Sequence, residues 1–234
     1  MKIALFGYGK MGKAIEKIAI NRGHEIIAKI DKDTEGYDIT DADVAIDFST
    51  PNSAFYNINQ CFTKDIPIVS GTTGWLDKYN EIIEICNKKG GTFIYASNFS
   101  LGVNIFFELN KKLAQIMHRF SDAYQVAIEE IHHTEKLDAP SGTAISLAEG
   151  IIINSEKRKW NLGVTNAEDE IPITAKRIEN VPGTHTVIYQ SDVDKISIEH
   201  IAKNRKGFAL GAVIAAEWLQ DKKGVFTMND VLGL

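Results

Sequence analysis

The first thirty-one residues restrict the fold more tightly than any other stretch of the chain. Lys2 to Phe6 is an apolar run of strand length, followed at once by Gly7-Tyr8-Gly9-Lys10-Met11-Gly12, the spacing G-x-G-x-x-G. Behind that loop Ile15, Ile18 and Ala19 share one face at helical spacing, and Gly23 closes the helix at its C′ position. Glu25 to Ile30 reads as a second strand, and Asp31 ends it nineteen residues after Gly12. The three glycines do different physical work. Gly7 permits a tight turn, Gly9 lets backbone approach a pyrophosphate, and Gly12 lets helix and strand pack closely. An acid at the end of the second strand accepts hydrogen bonds from a ribose 2′-hydroxyl. The glycines alone would be a weak signal, but strand, helix, second strand and terminal acid together specify a Rossmann-type α/β unit that binds a dinucleotide.

Further strands are expected at Val44 to Phe48, Ile66 to Ser70 and Thr92 to Ala96, spaced for crossover helices and a parallel sheet. Each is followed by small polar residues where open α/β sheets bind ligands: Ser49-Thr50-Pro51, Gly71-Thr72-Thr73-Gly74 and Ser97-Asn98-Phe99-Ser100. Gly71, Thr72 and Thr73 offer backbone donors and hydroxyls to a nicotinamide or ribose. From Val103 to about Arg119 the apolar residues recur at helical spacing, and a domain boundary falls near Ser100. Strands are then expected at Tyr124 to Glu130, Ile173 to Arg177, Thr184 to Gln190 and Lys195 to Ile201, with Asp192 to Asp194 as a hairpin loop and no structure assigned to the polar stretch Asn154 to Glu170. An apolar helix from Ala209 to Leu219 would pack back on the first domain before Val225 to Leu232. The expected fold is α/β: a Rossmann-type nucleotide-binding domain, residues 1–100 and 206–234, plus an α+β substrate and oligomerisation domain, residues 101–205, with an open mixed sheet. A sheet with one uncovered face commonly finds its partner in another copy of itself.

The chemistry concentrates between Glu129 and Thr143, where His132, His133 and Lys136 precede Asp138-Ala139-Pro140-Ser141-Gly142-Thr143. Ile145, Ala148, Ile151 and Ile152 mark a helix behind Pro140, with Ser141 as its N-cap. Free N–H groups at Gly142 and Thr143 would make its start a seat for a carboxylate or phosphate. An acid/base histidine pair, a cation and an anion seat suit a small acidic substrate. Taken singly, each residue reads as an ordinary strand-end histidine or a solvated lysine. Zinc is disfavoured, because neighbouring strand residues point to opposite faces and neither H-E-x-x-H nor a paired-cysteine motif is present. The net charge of −5 argues against general binding to nucleic acid or an anionic membrane. No leader-like or membrane-spanning apolar run occurs, and Cys61 and Cys86 are far apart, which fits a reducing cytoplasmic setting.

The sequence resembles the 4-hydroxy-tetrahydrodipicolinate reductase (dihydrodipicolinate reductase) family over nearly its whole length. The resemblance rests on Glu130-Ile131-His132-His133, Lys136 and Asp138-Ala139-Pro140-Ser141-Gly142-Thr143-Ala144, and on the glycine loop, Ala45-Ile46-Asp47-Phe48-Ser49, Gly71-Thr72-Thr73-Gly74 and Asn98-Phe99-Ser100. His200, Arg205, Phe208, Gly211-Ala212 and Trp218 also fit. It implies reduction of 4-hydroxy-tetrahydrodipicolinate, a dicarboxylate of the diaminopimelate and lysine pathway, with NADH or NADPH in a homotetramer. It further implies that His132 is the acid/base residue, Lys136 the proton donor and cation, His133 a substrate contact, and Gly142 with Thr143 a carboxylate seat. On the cofactor side it implies Gly7, Tyr8, Gly9, Lys10, Met11, Gly12, Asp31, Lys32, Gly71, Thr72, Thr73, Ser97, Asn98, Phe99, Arg205 and Phe208. A related dehydrogenase acting on a semialdehyde or amino acid shares the Rossmann half, but lacks a reason for Lys136 behind His132-His133. A nucleotide-sensing regulator would keep the glycine loop without an acid, a cation and an anion seat in one segment.

Overall fold

The computed structural model describes residues 1–204 and 206–234. In chain order its strands and helices begin β1 (Lys2–Phe6), α1 (Lys10–Asn21), β2 (Glu25–Ile30), β3 (Val44–Asp47), α2 (Pro51–Thr63), β4 (Ile68–Ser70), α3 (Tyr79–Lys89), β5 (Thr92–Tyr95) and α4 (Leu101–Met117). They continue with β6 (Gln125–His132), α5 (Gly142–Ile153), β7 (Lys159–Leu162), β8 (Glu170–Arg177), β9 (Thr184–Gln190), β10 (Lys195–Ile201), α6 (Lys206–Trp218), β11 (Gly224–Phe226) and α7 (Met228–Leu232). The chain divides into two compact units, Met1–Leu101 with Lys206–Leu234, and Gly102–Arg205.

The first unit is built on a six-stranded parallel sheet in the order β11-β5-β4-β3-β1-β2. Strand alternation sends Ile3 and Leu5 of β1 to one face, where they pack with Ile15 and Ala19 of α1 and Ala209, Ala212 and Val213 of α6. Ala4 and Phe6 go to the other face, against Ile58 and Cys61 of α2 and Ile82 and Cys86 of α3. Burial on both faces explains why these strands read as unbroken apolar runs rather than alternating ones. Arg22 caps α1 and Gly23 follows at φ 83°, the left-handed conformation expected of a glycine there. The predicted C-terminal helix belongs to this core, and Gly224 to Phe226 adds a sixth strand beside β5. Cys61 and Cys86 are buried free thiols, and burial raises the pKa of both.

The second unit carries a five-stranded mixed sheet, β10-β9-β6-β8-β7, in which β6 runs antiparallel to β9 and parallel to β8. Phe106, Ala114 and Met117 of α4 and Leu147, Ala148 and Ile151 of α5 cover one sheet face over Val126, Ile128, Ile173 and Val187. The largest differences from the sequence expectation lie in β7, β8 and β6. The polar stretch Asn154 to Glu170 contains β7, a four-residue edge strand whose Trp160 packs on the core and pairs with Ile171. Two alternating apolar residues, Trp160 and Leu162, in a four-residue strand are too short a signal for period-two reading. β8 starts at Glu170 rather than Ile173, through Pro172, a residue that normally argues against a strand interior. Finally, β6 runs on past Glu130 to His132, so its alternation buries both.

Candidate active site

The extension of β6 builds the polar centre of the second unit. Val126, Ile128, Glu130 and His132 share its buried face. Glu130 is 0% exposed and His132 7%. The antiparallel register of β9 sets His185, also buried, opposite Glu130. A buried carboxylate is tolerable only when its charge is met. Here the backbone N–H of Ser141 donates to both Glu130 oxygens at 3.1 and 3.0 Å, and the Arg177 guanidinium lies 3.5 Å away. Oε2 of the same carboxylate is 3.6 Å from His132 Nδ1 and 3.7 Å from His185 Nε2.

Helix α5 starts at this centre. Ser141 is its N-cap, and its Oγ accepts the Ala144 N–H at 3.2 Å and lies 3.0 Å from His185 Nε2. With Ser141 N–H spent on Glu130, the N–H groups of Gly142 and Thr143 have no acceptor among the described residues. Gly142 is exposed, with no heavy atom within 4 Å of where a Cβ would stand, so a ligand has room to reach these donors. The loop between β6 and α5 is held by Arg177, which donates to Lys136 O at 3.2 Å and Asp138 O at 2.6 Å. Lys136 Nζ donates to both Asp138 oxygens at 2.8 Å. His133, the next residue after β6, is half-buried.

Electrostatics follow from this enclosure. Burial lowers the His132 pKa, Glu130 and Asp138 oppose the shift, and Lys136 and Arg177 add to it. Burial, with His132, His200 and Lys136 adding, pushes His185 down to about 3, so it is a neutral imidazole at physiological pH. The Lys136 hydrogen bond lowers the Asp138 pKa, which keeps that carboxylate ionised. His132, Lys136, His133, Gly142 and Thr143 thus fall in one segment of one unit. Sequence reading missed Glu130 as an acid, and also Arg177 and His185. Glu130 had a signal in its period-two spacing from His132, whereas Arg177 and His185 arrive only through strand register.

The first unit holds the glycine loop and the strand-end acid expected for a dinucleotide. Gly7 sits at φ 87°, and a Cβ there would lie 2.1 Å from Phe48 O. A Cβ on Gly12 would lie 2.2 Å from Gly7 O, whereas one on Gly9 would meet nothing within 4 Å. Gly9 is the N-cap of α1, with no side-chain cap and no acid in the first turn, and the N–H groups of Lys10, Met11 and Gly12 have no acceptor among the described residues. A pyrophosphate fits that cradle. The Tyr8 hydroxyl donates to Glu16, which pairs with Lys29 at 2.5 Å. Asp31 is exposed at the end of β2 and accepts the Lys32 N–H at 2.9 Å, while the Lys32 ammonium extends into solvent 4.0 Å from Asp33.

The remaining residues expected on the cofactor side, among those described, follow β4 and β5 or lie in α6. The Thr72 hydroxyl donates to Asp47 Oδ2 at 2.7 Å and accepts the Ser49 N–H at 2.9 Å, so it is committed within the protein. Phe99 is 1% exposed and packs edge-on to Phe48, which leaves only its peptide groups for a ligand. Gly71 donates its N–H to Asp47 O, and its Cα lies against the Phe48 ring. Thr73 and Ser97 are exposed, Asn98 accepts the Ser100 N–H at 2.9 Å, and Phe208 is half-buried in α6. Arg205 lies outside the described residues. Asp47, which sequence reading assigned no role, is fully buried and accepts from Ser49, Asn57, Ser70 and Thr72, so it sets the loops after β3 and β4.

A parallel Rossmann-type sheet with an open glycine cradle, together with a second unit that carries an imidazole, a lysine and free helix N–H groups, defines a dinucleotide-dependent oxidoreductase. Sequence profiles of the N-terminus and the C-terminus of dihydrodipicolinate reductase match residues 1–99 and 102–232. The chain belongs to the dihydrodipicolinate reductase family. It is 62% identical to the 4-hydroxy-tetrahydrodipicolinate reductase of Christiangramia forsetii, covering 99% of this chain and 98% of that protein. It is 33% identical to the enzyme of that name from Archaeoglobus fulgidus, covering 99% and 100%. Its fold matches a dipicolinate-bound dihydrodipicolinate reductase from Paenisporosarcina sp. TG-14 with a TM-score of 0.77, at 22% identity over 97% of both chains. Its reaction is the family's, NAD(P)H-dependent reduction of 4-hydroxy-tetrahydrodipicolinate in diaminopimelate and lysine biosynthesis.

Proposed function

We propose that the second unit binds the dicarboxylate substrate and handles its proton while the first unit holds NADH or NADPH. When bound, the nicotinamide supplies a hydride to the electron-poor conjugated imine ring. His132 acts as the acid/base group, and the Lys136 ammonium supplies a proton and stabilises charge on the ring nitrogen. Gly142 and Thr143 donate their N–H groups to a ring carboxylate at the positive end of α5, and His133 contacts the substrate. The observation that carries this reading is the single segment that joins a buried imidazole, a lysine and two unpaired helix N–H donors. On the cofactor side, Gly7, Gly9 and Gly12 with the N–H groups of α1 hold the pyrophosphate, Asp31 takes the ribose, and Lys32, Thr73, Ser97 and Asn98 line the approach.

His132→Ala and Lys136→Ala should each keep nucleotide affinity and lose roughly a hundred- to ten-thousand-fold in turnover, the range for removal of a placed proton-transfer group. Oxidation of NADH or NADPH with freshly generated substrate, run beside a nucleotide titration, checks this. Near-normal turnover in both variants would sink the assignment.

The same reading makes the protein a cytoplasmic homotetramer. Among the described residues no helix is long and apolar enough to cross a membrane. Helices cover one face of the five-stranded sheet, and Ile131, Ile188 and Ile201 lie on the other. Light scattering should give a mass near four times the 26.0 kDa subunit, and a monomer at micromolar concentration would refute the assembly.

A further inference from the structure

The proton-handling role proposed for His132 leaves open what decides which ring nitrogen carries the proton. Nδ1 is enclosed and has no hydrogen-bond partner within range among the described residues. The acceptor beside it is Glu130 Oε2, 3.6 Å away, two residues back on the same face of β6. A bare lone pair facing a carboxylate is repelled by it, whereas an N–H there turns its positive end toward the negative charge. The carboxylate cannot swing away, because Ser141 N–H holds both oxygens and Arg177 stands 3.5 Å off. On the other side of the ring, Nε2 faces Gly183, where a Cβ would stand 3.2 Å from it. Glycine at that position keeps this edge of the imidazole free.

We infer that Glu130 is a positioning residue for the reaction: its carboxylate holds the His132 imidazole with Nδ1–H turned toward it, which reserves Nε2 for proton exchange with the substrate. The same carboxylate, through Ser141 N–H, fixes the start of α5. One buried acid therefore sets both the orientation of the imidazole and the place of the anion seat. His185 does not compete for the role. It packs edge-on to His132 at 4.9 Å between ring centroids, is neutral at physiological pH, and has the Ser141 hydroxyl at 3.0 Å as its polar partner.

Glu130, His132 and His185 also bring their ligand atoms within 4.8 Å of one another, a spacing that invites a metal reading. The Arg177 guanidinium and Ser141 N–H already meet that carboxylate, so a divalent cation would stand against a fixed positive charge. The geometry favours proton placement. The charged groups acting on His132 are Glu130 and Asp138, which favour the imidazolium, and Lys136 and Arg177, which oppose it. Loss of the Glu130 charge therefore leaves the opposition stronger.

The test is the His132 tautomer, read from long-range ¹H–¹⁵N spectra at pH 8, together with pH profiles of kcat. The wild-type protein should show Nδ1–H. Glu130→Gln keeps the shape and an oxygen for Ser141 N–H, but its amide donates to Nδ1. The variant should therefore show Nε2–H, a kcat lowered about a hundredfold, an acid limb moved to lower pH and an unchanged nucleotide Kd. An Nε2–H tautomer in the wild type overturns the inference, and that spectrum needs no variant to fold. A variant matching wild type in tautomer and profile overturns it too, as does a reversed tautomer with no change in kcat. If His132→Ala turns over normally, the acid/base reading fails instead, and the wild-type tautomer still reports on Glu130.

Discussion

At the residue scale, the proposed cofactor site makes the choice between NADH and NADPH turn on a single exposed acid. The Asp31 carboxylate is exposed at the end of β2 with one oxygen on the Lys32 N–H, and in the proposed site it accepts from a ribose 2′-hydroxyl. A 2′-phosphate would instead set like charges a few ångströms apart. Lys32 could relieve that repulsion only by an exposed pair, worth about 0 to 1 kcal/mol. Tenfold discrimination needs about 1.4 kcal/mol, so wild type should accept NADH at least as well as NADPH, with a modest preference. Asp31→Ala should move kcat/KM toward NADPH. A wild-type preference for NADPH above tenfold, or no shift in the variant, would show this wrong. Asp31, His132 and Lys136 could be proposed from sequence because their neighbours in the chain carry the pattern. Arg177, His185 and Asp47 could not, since each takes its meaning from partners on other elements: Arg177 from a loop some forty residues earlier, and Asp47 from Thr72 twenty-five residues later.

At the scale of elements, two glycines separate packing from binding. Gly211 brings α6 so close to the segment after β5 that a Cβ would lie 1.7 Å from Phe99 O, a backbone atom that cannot rotate aside. Gly211→Ala should cost about 1–3 kcal/mol by overpacking and lower Tm by roughly 2–12 °C for a chain of this size. Gly9→Ala meets nothing within 4 Å and Gly9 has φ −80°, so the fold should keep its Tm. In the proposed cofactor site the added methyl stands where the pyrophosphate approaches, and nucleotide affinity should fall at least tenfold. Calorimetry beside a nucleotide titration checks the pair, and equal behaviour of the two variants would refute the distinction. In the first unit β1 to β5, α1 and α6 read from sequence because each strand is a short apolar run and each of these helices has an apolar pattern, whereas α2 and α3 were expected only as unplaced crossover helices and β11 was not expected. In the second unit β7, the start of β8 and the end of β6 were hidden. The edge strand is short, Pro172 lies inside a strand, and polar Glu130 and His132 occupy positions that apolar residues normally mark.

For the whole molecule, acid should act unequally on the two units. The histidines with lowered pKa are His132, His185 and His200, all in the second unit, and burial is the largest cause for each. A histidine whose folded pKa lies below its unfolded value binds fewer protons folded than unfolded. Its full stabilising contribution is present above about pH 6.5 and is lost as pH falls toward the folded value, which for His185 is about 3. Each such group contributes a slope of up to about 1.4 kcal/mol per pH unit in that window. Lowered carboxylates act in the same direction but only below about pH 4.5. They are found in both units: Glu217 and Asp230 in the first, Asp138 and Glu170 in the second. Between pH 6.5 and 5, therefore, the loss should fall on the second unit. Hydrogen exchange resolved by peptide at pH 7.5 and 5.0, corrected for intrinsic rates, should show lost protection in β6, β9 and α5 while β1, β3 and α6 hold theirs. His185→Gln should flatten the dependence, since one titrating group is removed from the buried cluster. Equal loss of protection in both units, or none, would mean that these imidazoles do not govern stability in this range.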